Sequence, residues 1–578
     1  MERCSSRLAV LALVALAALA PAAAAPPPTV PAAAAAFEAT ARGVPRGGRL
    51  RITSYRLEGE TMDVDLDLQR IDVWAEGARV ELQGAPGERS IVRGPPSTVY
   101  LRGGVVGEPG SVALLSVRGS GEVQGMAFRR GGAWALGKAG SGAGGLRFKK
   151  AQPEKFTKPV FKCGDNHDGG LEVPAGHAFP AGTPGLGSNR KMLQSNVNST
   201  YSATVAVETD AEFLNLFAGN TTRALDYIGD LIGYADVVYS RDINTDIQLG
   251  YVRLWTGGPS SDPWDSSVTS TSTALNNFRT YWNANMQGVE RTTAHFMSGL
   301  NLGGGIAWLG TLCDWYYSPS DNYAYGLTAS LTGGFAWNEI QGSNPSAVVW
   351  DVMAVLHELG HNFNSPHSHD YCNVGGLAQA VDACYASTAC NTSAAGLPSC
   401  SAPTPYWDGG AGTIMSYCHL LSGGYKNMAM TFGTGHTCGT SPGRVANQMT
   451  AFVQQQAASY PSCFTPKSPP AHPPPPNPPP LPPSPPLPPS PPLPSPPPNP
   501  PSPPPPSPRP PSPPPPSPRP PSPLPPSPRP PSPLPPSPHP PTPPLPSPPP
   551  TQQCMAKGAS CAAKADCCSN KCVKSTCN

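Results

Sequence analysis

Toward the end of its globular part the chain reads His357-Glu358-Leu359-Gly360-His361-Asn362-Phe363-Asn364-Ser365-Pro366-His367. Two histidines at i and i+4 share one face of a helix, so both imidazoles can reach a single ion. The flanking residues predict that helix over Ala347 to Asn362, with Asn344 as N-cap candidate, Pro345 in the first turn and Pro366 past the end. Glu358 stands beside the two histidines without being needed as a ligand, placed to take a proton from water at the metal. His367 follows His361 by six residues across Asn364-Ser365-Pro366, where the chain must turn back sharply to deliver a third imidazole. Two histidines alone would commonly be hydrogen-bonded or solvent-facing. A third at this spacing makes a zinc site, and three nitrogen ligands leave the fourth position to water, as catalysis requires.

Upstream, from Tyr201, strand and helix signals alternate. Tyr201 to Thr209 is β-branched and strand-like; Leu225, Ile228, Leu231, Ile232 and Ala235 repeat at helical spacing. Ile247, Leu249 and Tyr251 return to period two, and Leu275, Phe278 and Trp282 to helical spacing. This alternation predicts an α/β domain with a mixed sheet. The stretch from about 370 to 463 is rich in Cys and Gly and reads as loops. Further upstream, residues 37 to about 150 show Met62, Val64, Leu66, Leu68, then Ile71 and Val73 at period two, the signature of short antiparallel strands. A Gly/Pro-rich connector from Gly164 to Ser188 leads to Arg190-Lys191, a dibasic site open to a processing protease.

The ends set the context. Arg3 and Arg7 precede an apolar run from Leu8 to Ala20, then Pro21 and small residues to Ala25, the pattern of a secretory signal peptide. An uncleaved anchor is the alternative, disfavoured by the weak hydrophobicity of alanine and by Pro21. The expectation is a secreted, extracellular protein with no stable membrane span, in which the sequons at Asn198, Asn220 and Asn391 could be glycosylated. Of 81 prolines, 56 lie between Pro466 and Pro550, including a ten-residue repeat of the form SPRPPSPPPP. Proline lacks the donor for helix or sheet, so this is a polyproline II linker. Six cysteines follow in the last 25 residues. A formal charge of +2 without a basic run excludes a nucleic-acid-binding class.

The motif resembles that of the metzincin metallopeptidases, HExxHxxGxxH followed by a methionine turn. Here the turn is Gly412-Thr413-Ile414-Met415-Ser416-Tyr417, and Asn364 replaces the family glycine. Asn is the best non-Gly occupant of the left-handed region that glycine adopts, so the turn should survive. The resemblance implies Met415 as a hydrophobic floor beneath zinc held by His357, His361 and His367. His369 is a rival third ligand, expected on the cleft rim. In some branches a tyrosine at the position of Tyr417 ligates the metal or hydrogen-bonds the intermediate; a buried structural tyrosine is the alternative. Gly305-Ile306-Ala307-Trp308-Leu309-Gly310-Thr311-Leu312-Cys313 resembles the substrate-binding edge strand of the reprolysin/ADAM branch. Gly104 to Ser116 and Gly121 to Met126 resemble its propeptide.

Cysteine arithmetic adds a further expectation. Without Cys4 and the six of the tail, nine remain, an odd count in a secreted chain. Cys163-Gly164 is the only one before the dibasic site, and in zymogens of these families a propeptide Cys-Gly occupies the fourth zinc position. Cys163 is therefore the candidate latency switch, leaving eight cysteines for four disulfides of open connectivity; a Cys163 disulfide is the alternative. The proline tract resembles hydroxyproline-rich wall glycoproteins of plants and green algae. The tail spacing Cys554-x6-Cys561-x5-Cys567-Cys568-x3-Cys572-x4-Cys577 resembles knottin modules.

The domains expected are thus a signal peptide (1–25), a β-rich propeptide (26–190), an α/β metzincin catalytic domain (191–464), a Pro-rich linker (465–551) and a knottin-like module (552–578). The function expected is a zinc endopeptidase, made latent, cutting matrix or cell-wall proteins, with the tract and tail docking to wall glycans or glycoproteins. The rival is a structural or adhesive wall glycoprotein whose protease-like domain only binds peptides. The intact His-Glu-His-His set speaks against it.

Overall fold

The computed structural model describes residues 29–30, 34–57, 63–85, 87–138, 146–151, 162–163, 199–334, 346–402, 410–466, 572–573 and 576–577. The signal-peptide pattern, the Gly164–Ser188 connector with its dibasic end, Asn198, the Asn344-Pro345 start of the motif helix and the proline tract lie outside them. Residues Met1–Pro479 cluster as one compact unit and Pro480–Asn578 as a second. In the second, Cys572–Val573 pairs antiparallel with Thr576–Cys577.

The N-terminal part of the first unit contains β1 (Thr29–Val30), α1 (Ala34–Gly43), β2 (Arg49–Arg56), β3 (Asp63–Ile71), β4 (Trp74–Gln83), β5 (Ile91–Arg93), β6 (Val99–Val105), β7 (Val112–Val117), β8 (Val123–Arg129), β9 (Gly132–Lys138), β10 (Leu146–Lys150) and β11 (Lys162–Cys163). Eight of these pair in the order β1-β2-β3-β6-β7-β8-β9-β10. A bridge between Leu57 and Phe148 draws the two ends of the sheet together around a core that takes in Phe37 and Ala41 of α1. The expected alternation holds in β3, where Leu66 and Leu68 are buried between partly exposed neighbours. It fails in β7, every residue of which is buried. There Leu115 and Val117 face the sheet's own core, while Val112 and Leu114 belong to the larger core of the following domain.

That domain runs through β12 (Tyr201–Thr209), α2 (Ala211–Asn215), α3 (Thr221–Ile243), β13 (Thr245–Trp255), α4 (Thr271–Asn285), β14 (Thr293–Met297), β15 (Gly304–Ala307), α5 (Asp314–Tyr317), β16 (Tyr325–Thr328), α6 (Ser346–Asn362), α7 (Gly443–Ser459) and β17 (Phe464–Pro466). The sheet is mixed, as the alternation predicts, in the order β11-β15-β16-β14-β12-β13-β4-β5, with β17 on the start of β12. Strand β15 runs antiparallel to β16, while β12, β13, β14 and β16 run parallel. Helix α6 is buried from Ala347 onward, as an apolar run such as Val348-Val349-Trp350 demands. Tyr227 and Tyr239 of α3 fix it: their hydroxyls donate to Asp351 at 2.7 Å and to the Leu356 carbonyl at 2.9 Å.

The loop expectation for 370–463 needs correction at its end. Gly443–Ser459 is a 17-residue helix that buries Val445, Ala446, Met449, Phe452 and Val453, a helical spacing hidden among turn-forming residues. Cys313–Cys463, Cys372–Cys390, Cys384–Cys418 and Cys400–Cys438 are disulfides, which accounts for all eight cysteines of the domain. Among the described residues no helix is long and apolar enough to cross a membrane.

Candidate metal centre

Helix α6 delivers His357 and His361, and its C-terminus explains how His367 joins them. Asn364 adopts φ +67°, the left-handed conformation expected of it. The Asn364 amide donates to the His361 carbonyl at 2.8 Å and the Ser365 amide to the Gly360 carbonyl at 3.1 Å. This is the Schellman arrangement, which satisfies the last helical carbonyls and reverses the chain. Beyond it Pro366, which cannot continue the helix, leads into His367.

One nitrogen from each of His357, His361 and His367 falls in a cluster in which all three lie within 4.8 Å of one another, and all three residues are buried. His357 Nδ1 lies 2.8 Å from the Ile414 carbonyl and His361 Nδ1 lies 2.8 Å from the Ser365 carbonyl. Carbonyls only accept, so both Nδ1 atoms carry hydrogen and both Nε2 lone pairs point inward. The Nε2 atoms of His367 and His357 come within 3.1 Å. Burial first, and then the neighbouring imidazoles, push all three pKa values well below the ordinary value for histidine. Three neutral imidazoles with converging lone pairs are the donor set of a divalent transition metal, and the carbonyl partners supply the outer shell such ligands need.

Around this triad the other expected residues are brought together. Met415 is fully buried beneath α6; a β-carbon on Gly360 would lie 2.5 Å from its sulfur, so the helix rests directly on it. Tyr417 is buried with its ring 4.4 Å from that of His367. His369 is fully buried, stacked 5.1 Å from His367, rather than on the cleft rim as the sequence suggests. The cause is the turn Ser368–Asp370, which folds it inward against Tyr385 and Tyr417. Glu358 is buried on the side of α6 that meets β15. At the backbone level, Cys163 of β11 pairs with Gly305 of β15, at the edge of the sheet beside Glu358.

The structural roles of three positions escaped the reading of the sequence. Asn362 closes α6 onto the sheet: its amide donates to the carbonyls of Trp308 at 2.9 Å and Tyr325 at 3.0 Å. Asp351 anchors the helix midway by accepting from the Thr332 amide at 3.0 Å as well as from Tyr227. Gly305 makes room for the Glu358 carboxyl. Each role is a contact between distant segments, and no local pattern carries it.

Residues 199–428 match Metallo-peptidase family M12, reprolysin type. They carry a reprolysin-type metallopeptidase domain of the metzincins. The matched region spans the motif helix, the His367 turn and the methionine turn. The disintegrin and metalloproteinase domain-containing protein unc-71 of Caenorhabditis elegans is 29% identical over 191 residues, or 31% of this chain and 17% of that protein. The chain therefore spans less than a fifth of that relative's length. A crystal structure of metalloproteinase-II from Bacteroides fragilis aligns over 61% of this chain and 92% of that one, at 11% identity and a TM-score of 0.30, a likeness too slight to bear on the fold.

Proposed function

We propose that the chain is a secreted zinc endopeptidase, made latent, that hydrolyses extracellular matrix or cell-wall proteins. The observation that carries the reading is the convergence of three neutral imidazoles beside a buried carboxylate, inside a reprolysin-type domain. His357, His361 and His367 would hold zinc, which when bound polarises water and the scissile carbonyl. Glu358 takes a proton from the attacking water and hands it to the leaving nitrogen. Strand β15 offers a free peptide ladder to an extended substrate once β11 has left it. Tyr417, packed on His367, is placed to orient the ligand set or to donate to the developing oxyanion.

Latency through Cys163 is supported by β11 lying on the substrate edge in register with Gly305. Secretion is supported by four disulfides, which persist in oxidising compartments, and by the N-terminal signal pattern. The choice of matrix or wall substrates, and a docking role for the proline tract and six-cysteine tail, rest on sequence composition. Metal analysis of the purified full chain tests the core of the reading. About one zinc per chain is expected in the wild type and less than a tenth of that in His361→Ala. Equal zinc in both would remove the triad as its site.

A further inference from the structure

The N-terminal domain meets the reprolysin-like domain in a way that a removable cover would not require. Strand β4 is built into the catalytic sheet. It runs parallel to β13 from Arg79 opposite Tyr251 to Gln83 opposite Trp255. The pairing is continued by the Leu249 amide to the Val73 carbonyl and the Thr256 amide to the Gln83 carbonyl, each 2.7 Å. Without β4 and β5, β13 would be an open edge of this sheet.

Helix α3 is shaped for the same partner. Every residue from Ala224 to Ser240 is buried, so it is covered on both sides: α6 lies on one and strands β6 to β8 on the other. Gly229 and Gly233 sit one turn apart against those strands. A β-carbon on Gly229 would collide with the Tyr100 hydroxyl, and one on Gly233 would lie 2.7 Å from Leu114. Each mid-helix glycine costs roughly 1 kcal/mol relative to alanine, so their place here is explained by the close approach of the N-terminal sheet. Tyr234 meets Phe128 edge to face at 6.0 Å.

Charge follows shape. Arg102 reaches Asp236 at 2.5 Å and Asp246 at 3.2 Å, with all three buried. Arg118 bonds the Asp230 carboxylate and, at 3.0 Å, the Asp226 carbonyl. The aspartates come from α3 and β13, Arg102 from β6 and Arg118 from the turn between β7 and β8. Apolar residues of the two parts form one continuous core.

We propose that residues 34–151 are a permanent subunit of this protein: a chain cut between Ala151 and Ser199 remains one non-covalent particle, with the N-terminal piece held on α3 and β13. The inference needs neither zinc nor a role for Cys163. Where it meets the latency reading, on which this one consequence rests, only β11 must leave the substrate edge for the site to open.

The test places a recognition sequence for a site-specific protease at Arg190-Lys191 of the full chain, cuts to completion and runs gel filtration at about 100 nM. The expected result is one peak at the mass of the uncut chain that resolves into two polypeptides only in denaturant. Two separate peaks, with the C-terminal piece folded, would overturn the proposal. Arg102→Ala combined with Arg118→Ala should raise the dissociation constant of the cut particle at least about 100-fold. If that variant does not fold, the wild-type chromatography decides alone. Proteolytic activity of the cut particle is read separately, so a failure of the latency reading leaves the subunit result intact.

Discussion

Gly305 and Glu358 are in mutual contact across the boundary between strand β15 and helix α6. A β-carbon built on Gly305 would lie 2.5 Å from Glu358 Cγ and 2.6 Å from its Cδ and Oε1. The carboxylate proposed as base therefore has its position set by the absence of a side chain on the strand that would hold the substrate. Gly305→Ala must push the carboxyl aside, and displacements of about 1 Å cost on the order of 100-fold in rate. The expected outcome is a loss of that size in kcat/KM with zinc content unchanged. A variant with wild-type kcat/KM would show that Gly305 does not position the base.

Asn364 carries the reversal that brings His367 to its partners. At φ +67° an alanine costs about 1 to 2 kcal/mol in left-handed strain, whereas glycine costs nothing on that account. Urea denaturation of the full chain should show Asn364→Ala destabilised by that amount, and Asn364→Gly close to wild type or above it.

His295, on β14, is buried with Nε2 2.9 Å from the Thr328 hydroxyl, and burial lowers its pKa to about 3. A depressed histidine stabilises the fold above its unfolded pKa of about 6.5, and that stability is lost as pH falls toward 3. Between pH 7 and 5 the loss amounts to about 2 kcal/mol. Burial raises Glu208 and Asp210 to about 7, so their contribution runs the other way and grows on acidification. Comparing wild type with His295→Gln isolates the histidine. The variant should lose less stability than the wild type between pH 7 and 5, and parallel curves would refute the assignment.

Cys163 stands opposite Gly305 on β15, the strand proposed to hold the substrate. In the uncut chain Cys163→Ser should raise basal proteolysis at least ~10-fold, since serine is a far poorer zinc ligand than thiolate. Equal rates would separate Cys163 from latency.

The motif helix and its reversal at Asn364 were legible in the sequence because each depends on spacing within a few residues, whereas the methionine turn, with Met415 54 residues beyond His361, was reached only through the family resemblance. Two strands were legible as well: the β-branched stretch Tyr201–Thr209 coincides with β12, and Ile247, Leu249 and Tyr251 at period two fall within β13. What could not be read was non-local. Nothing in Trp74–Gln83 announces that it joins the sheet of a domain more than a hundred residues away. Strand β7 looks like a half-buried strand until α3 is seen to cover its second face. Asn362 and Asp351 are ordinary polar residues on a helix until their partners arrive from Trp308 just past β15, from β16 and from the Thr332 loop. His369 was misplaced for the same reason, because its burial depends on Tyr385 and Tyr417.

The central claim is that His357, His361 and His367 hold zinc while Glu358 handles the proton. It is tested most directly in full chains carrying Cys163→Ser, with and without Glu358→Ala, by measuring zinc content and cleavage of a general protein substrate side by side. The account predicts about one zinc in both, chelator-sensitive proteolysis in the first, and a rate at least ~1000-fold lower in the second. Zinc in both with equal proteolysis would contradict the role of Glu358, and folded protein without zinc in either would contradict the metal centre itself.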